Sequence, residues 1–142
     1  MKVLLAVDDS KFSEDAAQAL ISQYPAVGTE VQVLNVVDLA LPIPTSYPGE
    51  FRRESLKHAE ELVHRLGDLL SHAGFKVRTA VEEGDPTSKI IDHASTWNAD
   101  VIVMGSHGRK GVEHFLMGSV SEAVVCHAPC SVEVVRVHAA HA

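Results

Sequence analysis

No apolar run in this sequence approaches the length of a membrane span. After Met1-Lys2 the run Val3–Val7 stops at Asp8, too early for the apolar stretch of a signal peptide. A cytoplasmic protein without membrane association is therefore expected. Basic residues are scarce as well: 12 Lys and Arg stand against 19 Asp and Glu, a formal charge of −7. That excess repels phosphodiester backbones and argues against general nucleic-acid binding, although backbone N–H groups can still hold a single phosphate locally. Cysteine is limited to Cys126 and Cys130, which fits a reducing compartment. The pair lacks Cys-x-x-Cys spacing and has Pro129 between its members, so both read as small apolar fillers. Nine histidines are present, but none forms a His-Glu-x-x-His pair or a mixed Cys/His cluster. They read as surface residues, and no protein metal site is expected. Aromatics are 5% of the chain, and Phe115 alone lies near the glycine-bearing segment discussed below, where a flavodoxin-like electron carrier would want an aromatic.

What is present is an ordinary globular balance, 46% apolar and 22% charged over 142 residues, enough for one domain and not two. Val3–Val7 is a short, wholly apolar run, as expected of a strand buried on both faces. Ala16, Ala17, Leu20, Ile21 and Tyr24 then recur at helical spacing until Pro25. Val31–Val37 is a second strand, and the proline-bearing stretch Asp38–Glu50 a loop. Leu56, Ala59, Leu62, Val63, Leu66, Leu69, Leu70 and Ala73 mark one face of a long helix closed by Gly74. Phe75–Val81 is the third strand. Asp85-Pro86 supplies an N-cap and first-turn proline for a helix that Asn98 can close. Glu82-Glu83 before it reads as turn and cap. Val101–Met104 is a fourth strand, a last helix ends near Ala128-Pro129, and Ser131–Val137 is the fifth strand.

Strands alternating with helices imply parallel pairing and right-handed crossovers, hence a single open doubly wound α/β sheet over 1–142. The first and fourth runs are apolar throughout, whereas the third (Lys76, Arg78) and fifth (Glu133, Arg136) carry charges, as edge strands can. Strand order 3-2-1-4-5 satisfies this and puts the switch point between strands one and four, beyond Asp8 and Gly105.

Gly105, Gly108 and Gly118-Ser119 form the pattern G-x2-G-x9-G-[S/T]. Glycines let a backbone approach a phosphate without a Cβ in the way, and a helix start at Gly118-Ser119 would add unpaired amides and a favourable dipole. Arg109 and Lys110 bring positive charge into an acidic chain. This is not the pattern G-x4-G-K-[ST], since no lysine follows Gly118. Together with Val7-Asp8-Asp9-Ser10, Leu34–Asp38, Gly84-Asp85-Pro86 and His127–Val132, the motif resembles the ATP-binding branch of the universal stress protein family over nearly the whole chain. Asn35 stands where members often have His, and Asp9 where they often have Gly. The resemblance implies an ATP-binding regulatory or stress-response module, with Mg2+ or Mn2+ as the metal that would accompany the nucleotide. It places base and sugar against Ala6, Asp8, Val36 and Met104. The phosphates would lie on Gly105, Gly108, Arg109, Gly118, Ser119, Val120 and Ser121.

Other uses of these residues remain open. Asp8 can cap the first helix, and Ser119 with Glu122 can form a capping box. A slow ATP hydrolase would need a group to orient water; the sequence names no base, with His107 and Asp8 no more than candidates. A nucleotide-independent dimeric interaction protein is a further alternative. A homodimer is expected through Ser131–Val137, with Glu133 opposite Arg136 of the second copy, and an unidentified protein partner is expected too. The loop Leu41–Gly49 is expected to cover the ligand or touch that partner.

Overall fold

The computed structural model describes residues 1–38, 48–106 and 118–136. Five strands, β1 (Lys2–Val7), β2 (Glu30–Val37), β3 (Lys76–Glu83), β4 (Val101–Gly105) and β5 (Ser131–Val135), form one parallel sheet of order β3-β2-β1-β4-β5. Four helices connect them: α1 (Lys11–Gln23), α2 (Pro48–His72), α3 (Pro86–Trp97) and α4 (Ser119–His127). The topology is the one the strand compositions predict. No described helix is long and apolar enough to cross a membrane.

Because side chains alternate along a strand, each strand feeds two cores. Val3, Leu5, Val7, Val31, Val33, Val101 and Val103 face α1 and α2, where they meet Ala16, Ala17, Leu20, Leu62, Val63, Leu66 and Leu70. Leu4, Ala6, Leu34, Ile102 and Met104 face the other way, onto Ile90 and Ala94 of α3 and Val124 of α4. Burying a Leu or Val side chain contributes about 1.5–3 kcal/mol. The central strands therefore anchor the fold from both sides.

Local signals set most helix ends. Asp85 accepts from the Ser88 N–H at 2.9 Å and Pro86 opens α3, while Asn98 closes it in the left-handed region at φ 59°. Gly74 (φ 97°) ends α2, with the Phe75 N–H donating back to the Leu70 carbonyl at 3.2 Å.

The structure differs from the sequence reading at several boundaries. The expected loop Asp38–Glu50 ends earlier, because α2 already starts at Pro48. Proline suits a helix's first position, since its missing N–H would be unpaired there anyway. Residues 41–47 of the expected covering loop lie outside the described residues. Glu82 and Glu83 are not turn residues: they extend β3, paired with Val36 and Val37 of β2. Strand β5 stops at Val135, leaving Arg136 beyond it and Val137 outside the described residues. Of the two cysteines read as fillers, Cys126 is exposed. Cys130 is partly buried, and burial, then the charge of Asp100, pushes its thiol up.

Candidate functional site

The register brings the expected base and sugar residues together. Ala6 pairs with Leu34 on one side and Met104 on the other, so the three form one row across β2, β1 and β4. Val36 stands two residues beyond Leu34, toward the carboxyl end of β2. Ala6, Val36, Met104 and Val120 all pack into the core on the α3 and α4 side. Ala6 and Met104 are only 6% and 5% exposed, so they can offer a ligand no more than an edge.

Asp8 follows directly on β1. Its Oδ1 accepts from the Ser10 N–H at 2.9 Å, from the Ser10 hydroxyl, and from the Ser13 hydroxyl at 3.1 Å. The Ser13 oxygen in turn accepts from the Asp8 N–H at 2.7 Å. Asp8 is not the helix cap considered from the sequence. Ser10 holds the N-cap position of α1, with extended backbone and no side-chain capping bond. Asp8 braces the strand-to-helix turn instead.

Gly105 ends β4, and the space where its Cβ would stand is occupied. An ideal Cβ there meets Phe12 of α1 at 2.7 Å from its Cβ and 2.8 Å from its carbonyl oxygen. Real Cβ atoms essentially never show such contacts, so this glycine is required by the closeness of α1. The Ser106 N–H donates to the Val135 carbonyl at 3.0 Å, and the Gly118 N–H to the Ser106 carbonyl at 2.6 Å. These bonds bring the start of α4 beside the end of β4. Gly108 and Arg109, with His107, fall outside the described residues.

The expected capping box does not form. Gly118 is the N-cap, extended at φ −75° and ψ 164°, and makes no side-chain cap; Ser119 is the first helical residue and is exposed. A glycine N-cap is nearly as good as serine. Ser121 is 3% exposed, and its hydroxyl donates to the Gly105 carbonyl at 2.8 Å. The two serines singled out in the sequence thus differ: Ser119 faces outward, while Ser121 ties α4 to β4.

Three participants were missed in the sequence: Phe12, Ser13 and Ser106. No sequence signal marks Ser13, whose bonds are to Asp8 five residues earlier. Away from this site, the Glu82 carboxylate accepts from His93 Nδ1 at 3.0 Å, and Arg52 Nε donates to Glu83 at 3.1 Å. His58 and His64 lie near Glu54, Glu61 and Glu60 on the exposed face of α2. Among the described residues no group of three or more His, Cys, Asp or Glu is arranged to hold a metal.

This geometry accompanies a clear set of relatives. A protein of Staphylococcus aureus (strain N315) that carries a universal stress protein name is 37% identical over 137 residues, covering 94% of this chain and 82% of its own length. The solved hypothetical protein MJ0577 superposes with a TM-score of 0.86 at 28% identity, covering 97% of both chains. A universal stress protein from Arabidopsis thaliana, solved with AMP bound, superposes at 0.73 over 98% of this chain and 93% of its own, at 18% identity. The model of the universal stress protein family matches residues 1–136. The chain belongs to the universal stress protein family.

Proposed function

We propose that the protein is an ATP-binding regulatory module of the stress response, working in the cytoplasm. The observation that carries this reading is the start of α4 held beside the end of β4 at the sheet's switch point, near the apolar residues on that face of the sheet. The phosphates meet the first-turn amides of α4 and the exposed Ser119 hydroxyl. Asp8, directly after the central strand β1, meets the ribose, and the base reaches toward β2. Gly108 and Arg109 extend the phosphate side. Gly105 and Ser121 belong to the phosphate side as well, and they also hold the platform in place. The AMP-bound relative supports an adenine nucleotide in this fold. Mg2+ or Mn2+ comes with the triphosphate rather than on a protein cluster.

Calorimetry of the purified protein with ATP, ADP and AMP tests this. Saturable one-to-one binding with ATP tightest is expected. Absence of heat with all three overturns the reading.

Self-association through β5 belongs to the same proposal. It is an edge strand whose Val132, Val134 and Val135 are only partly buried. The Glu133–Arg136 pairing expected across a twofold would have to draw Glu133 from Tyr24, whose hydroxyl donates to it at 2.8 Å. The valines therefore carry the contact. Native mass spectrometry should give twice the 15.3 kDa chain, and a monomer at high concentration excludes the interface.

A further inference from the structure

We infer that Ser13 is a positioning residue whose buried hydroxyl sets the direction in which Asp8 meets the sugar of a bound nucleotide. This rests on the nucleotide reading above and adds a residue to it. Ser13 lies in the first turn of α1 and is 4% exposed. A hydroxyl has one proton and two lone pairs. Here the proton goes to Asp8 Oδ1, and a lone pair takes the Asp8 N–H. A serine inside a helix commonly bonds back to a carbonyl of its own helix. Ser13 instead grips both the backbone and the side chain of one residue on the preceding turn.

The consequence is directional. Ser10 brings its N–H and its hydroxyl to the same Oδ1, so three donors converge on one oxygen. That fixes the carboxylate plane relative to β1, and with it the line along which Oδ2 points. A carboxylate already oriented loses less freedom when it accepts a ribose hydroxyl. Of the two serines, Ser13 is the one that also holds the Asp8 backbone, so it ties the carboxylate to the strand end rather than to the turn alone.

The test compares ATP, 2′-deoxy-ATP and 3′-deoxy-ATP by calorimetry on the full chain. The variants are Ser13→Ala, Ser13→Thr, Asp8→Ala and the Ser13→Ala/Asp8→Ala double change. Alanine is the better helix former, so α1 itself is not weakened by the first. Ser13→Ala is expected to weaken ATP about 5-fold, the scale of one modest hydrogen bond. It should leave unchanged the affinity for whichever deoxy analogue lacks the hydroxyl that Asp8 meets. Ser13→Thr, which keeps the hydroxyl, should retain the wild-type preference. In the Asp8→Ala background the serine change should do nothing more. Equal weakening for all three nucleotides, or a further loss in that background, overturns the inference. Should Ser13→Ala not fold, Asp8→Ala alone decides: unchanged discrimination among the three nucleotides overturns it. A wild type that binds all three alike removes the Ser13 role and leaves the nucleotide reading standing. A wild type that binds none removes both.

Discussion

At the amino ends of the strands the backbone is laced by reciprocal bonds. The Asp100 N–H donates to the Lys2 carbonyl at 2.8 Å, and the Lys2 N–H returns to the Asp100 carboxylate at 2.7 Å. The Glu30 N–H meets the Met1 carbonyl at 2.8 Å, and the Lys2 ammonium reaches the Trp97 carbonyl at 3.3 Å. At the carboxyl ends the described bonds serve a different purpose. They set a carboxylate at Asp8, a glycine-capped helix start at Gly118 and a glycine at Gly105 pressed against a neighbouring helix. The amino end pairs its polar groups with one another, and the carboxyl end arranges them around the site proposed above for the nucleotide. Open parallel sheets divide labour this way, because loops beyond the carboxyl ends carry ligands while the other end needs only to close.

Gly105 offers the strongest challenge to that division, since it is structural yet lies at the carboxyl end. Gly105→Ala must push against the backbone of α1, and overpacking of this kind costs about 3 kcal/mol. Urea unfolding should show it as a lower midpoint at unchanged slope. A midpoint equal to wild type would mean that α1 can retreat freely.

Gly118→Ala should act in the opposite sense. Its backbone is extended, which alanine tolerates, so stability should fall by only about 0.5–1 kcal/mol from the poorer N-cap. ATP affinity should drop about 10-fold, equivalent to about 1.4 kcal/mol, where a Cβ crowds the phosphate. Matching calorimetric titrations of variant and wild type would remove this residue from the phosphate side.

At the amino end, Asp100→Ala should cost about 0.5–1 kcal/mol through the lost bond to Lys2. Nucleotide affinity should not change. A coupled loss of affinity, read in the same titration, would show that the two ends are not independent.

The smallest effect concerns alkali. Burial, then the hydrogen bond and charge of Glu133, push the Tyr24 hydroxyl up to about 12. The folded pKa is therefore above the unfolded value near 10, so this contribution is whole below pH 10 and is lost as pH rises toward 12. Tyr24→Phe should flatten the fall in thermal midpoint over that window. An identical slope in both proteins would detach Tyr24 from it.

The sheet order was legible because composition distinguishes strands buried on both faces from edges: Val3–Val7 carries no charge, and Lys76, Arg78, Glu133 and Arg136 do. The start of α2 was not legible. No residue from Gly49 to His58 is buried, so the apolar pattern begins a few turns after the helix does. The N-cap of α4 was misplaced by one residue because Ser119–Glu122 matches a capping box, while glycine at 118 satisfies the same position without a side chain. The motif glycine at 105 was visible, but not its reason. Phe12 comes close to it only once α1 has folded back over β4. The bond from the Ser121 hydroxyl to the Gly105 carbonyl was not legible for the same cause, since its acceptor belongs to another element.

The chain has one tryptophan, and it lies at the laced end, where the Lys2 ammonium stands 5.6 Å from the centre of its ring and its side chain packs on the α3-side core. Excited at its red edge, the protein therefore carries a single natural fluorophore at the end of the sheet opposite the proposed nucleotide site. Its emission should report loss of the whole fold, including chemical denaturation of every variant above, while staying almost dark to events around Asp8 and Gly118. A nucleotide titration followed by that emission would look silent even at saturation, and a chromophore introduced on the opposite side of the sheet would be needed to watch binding in real time.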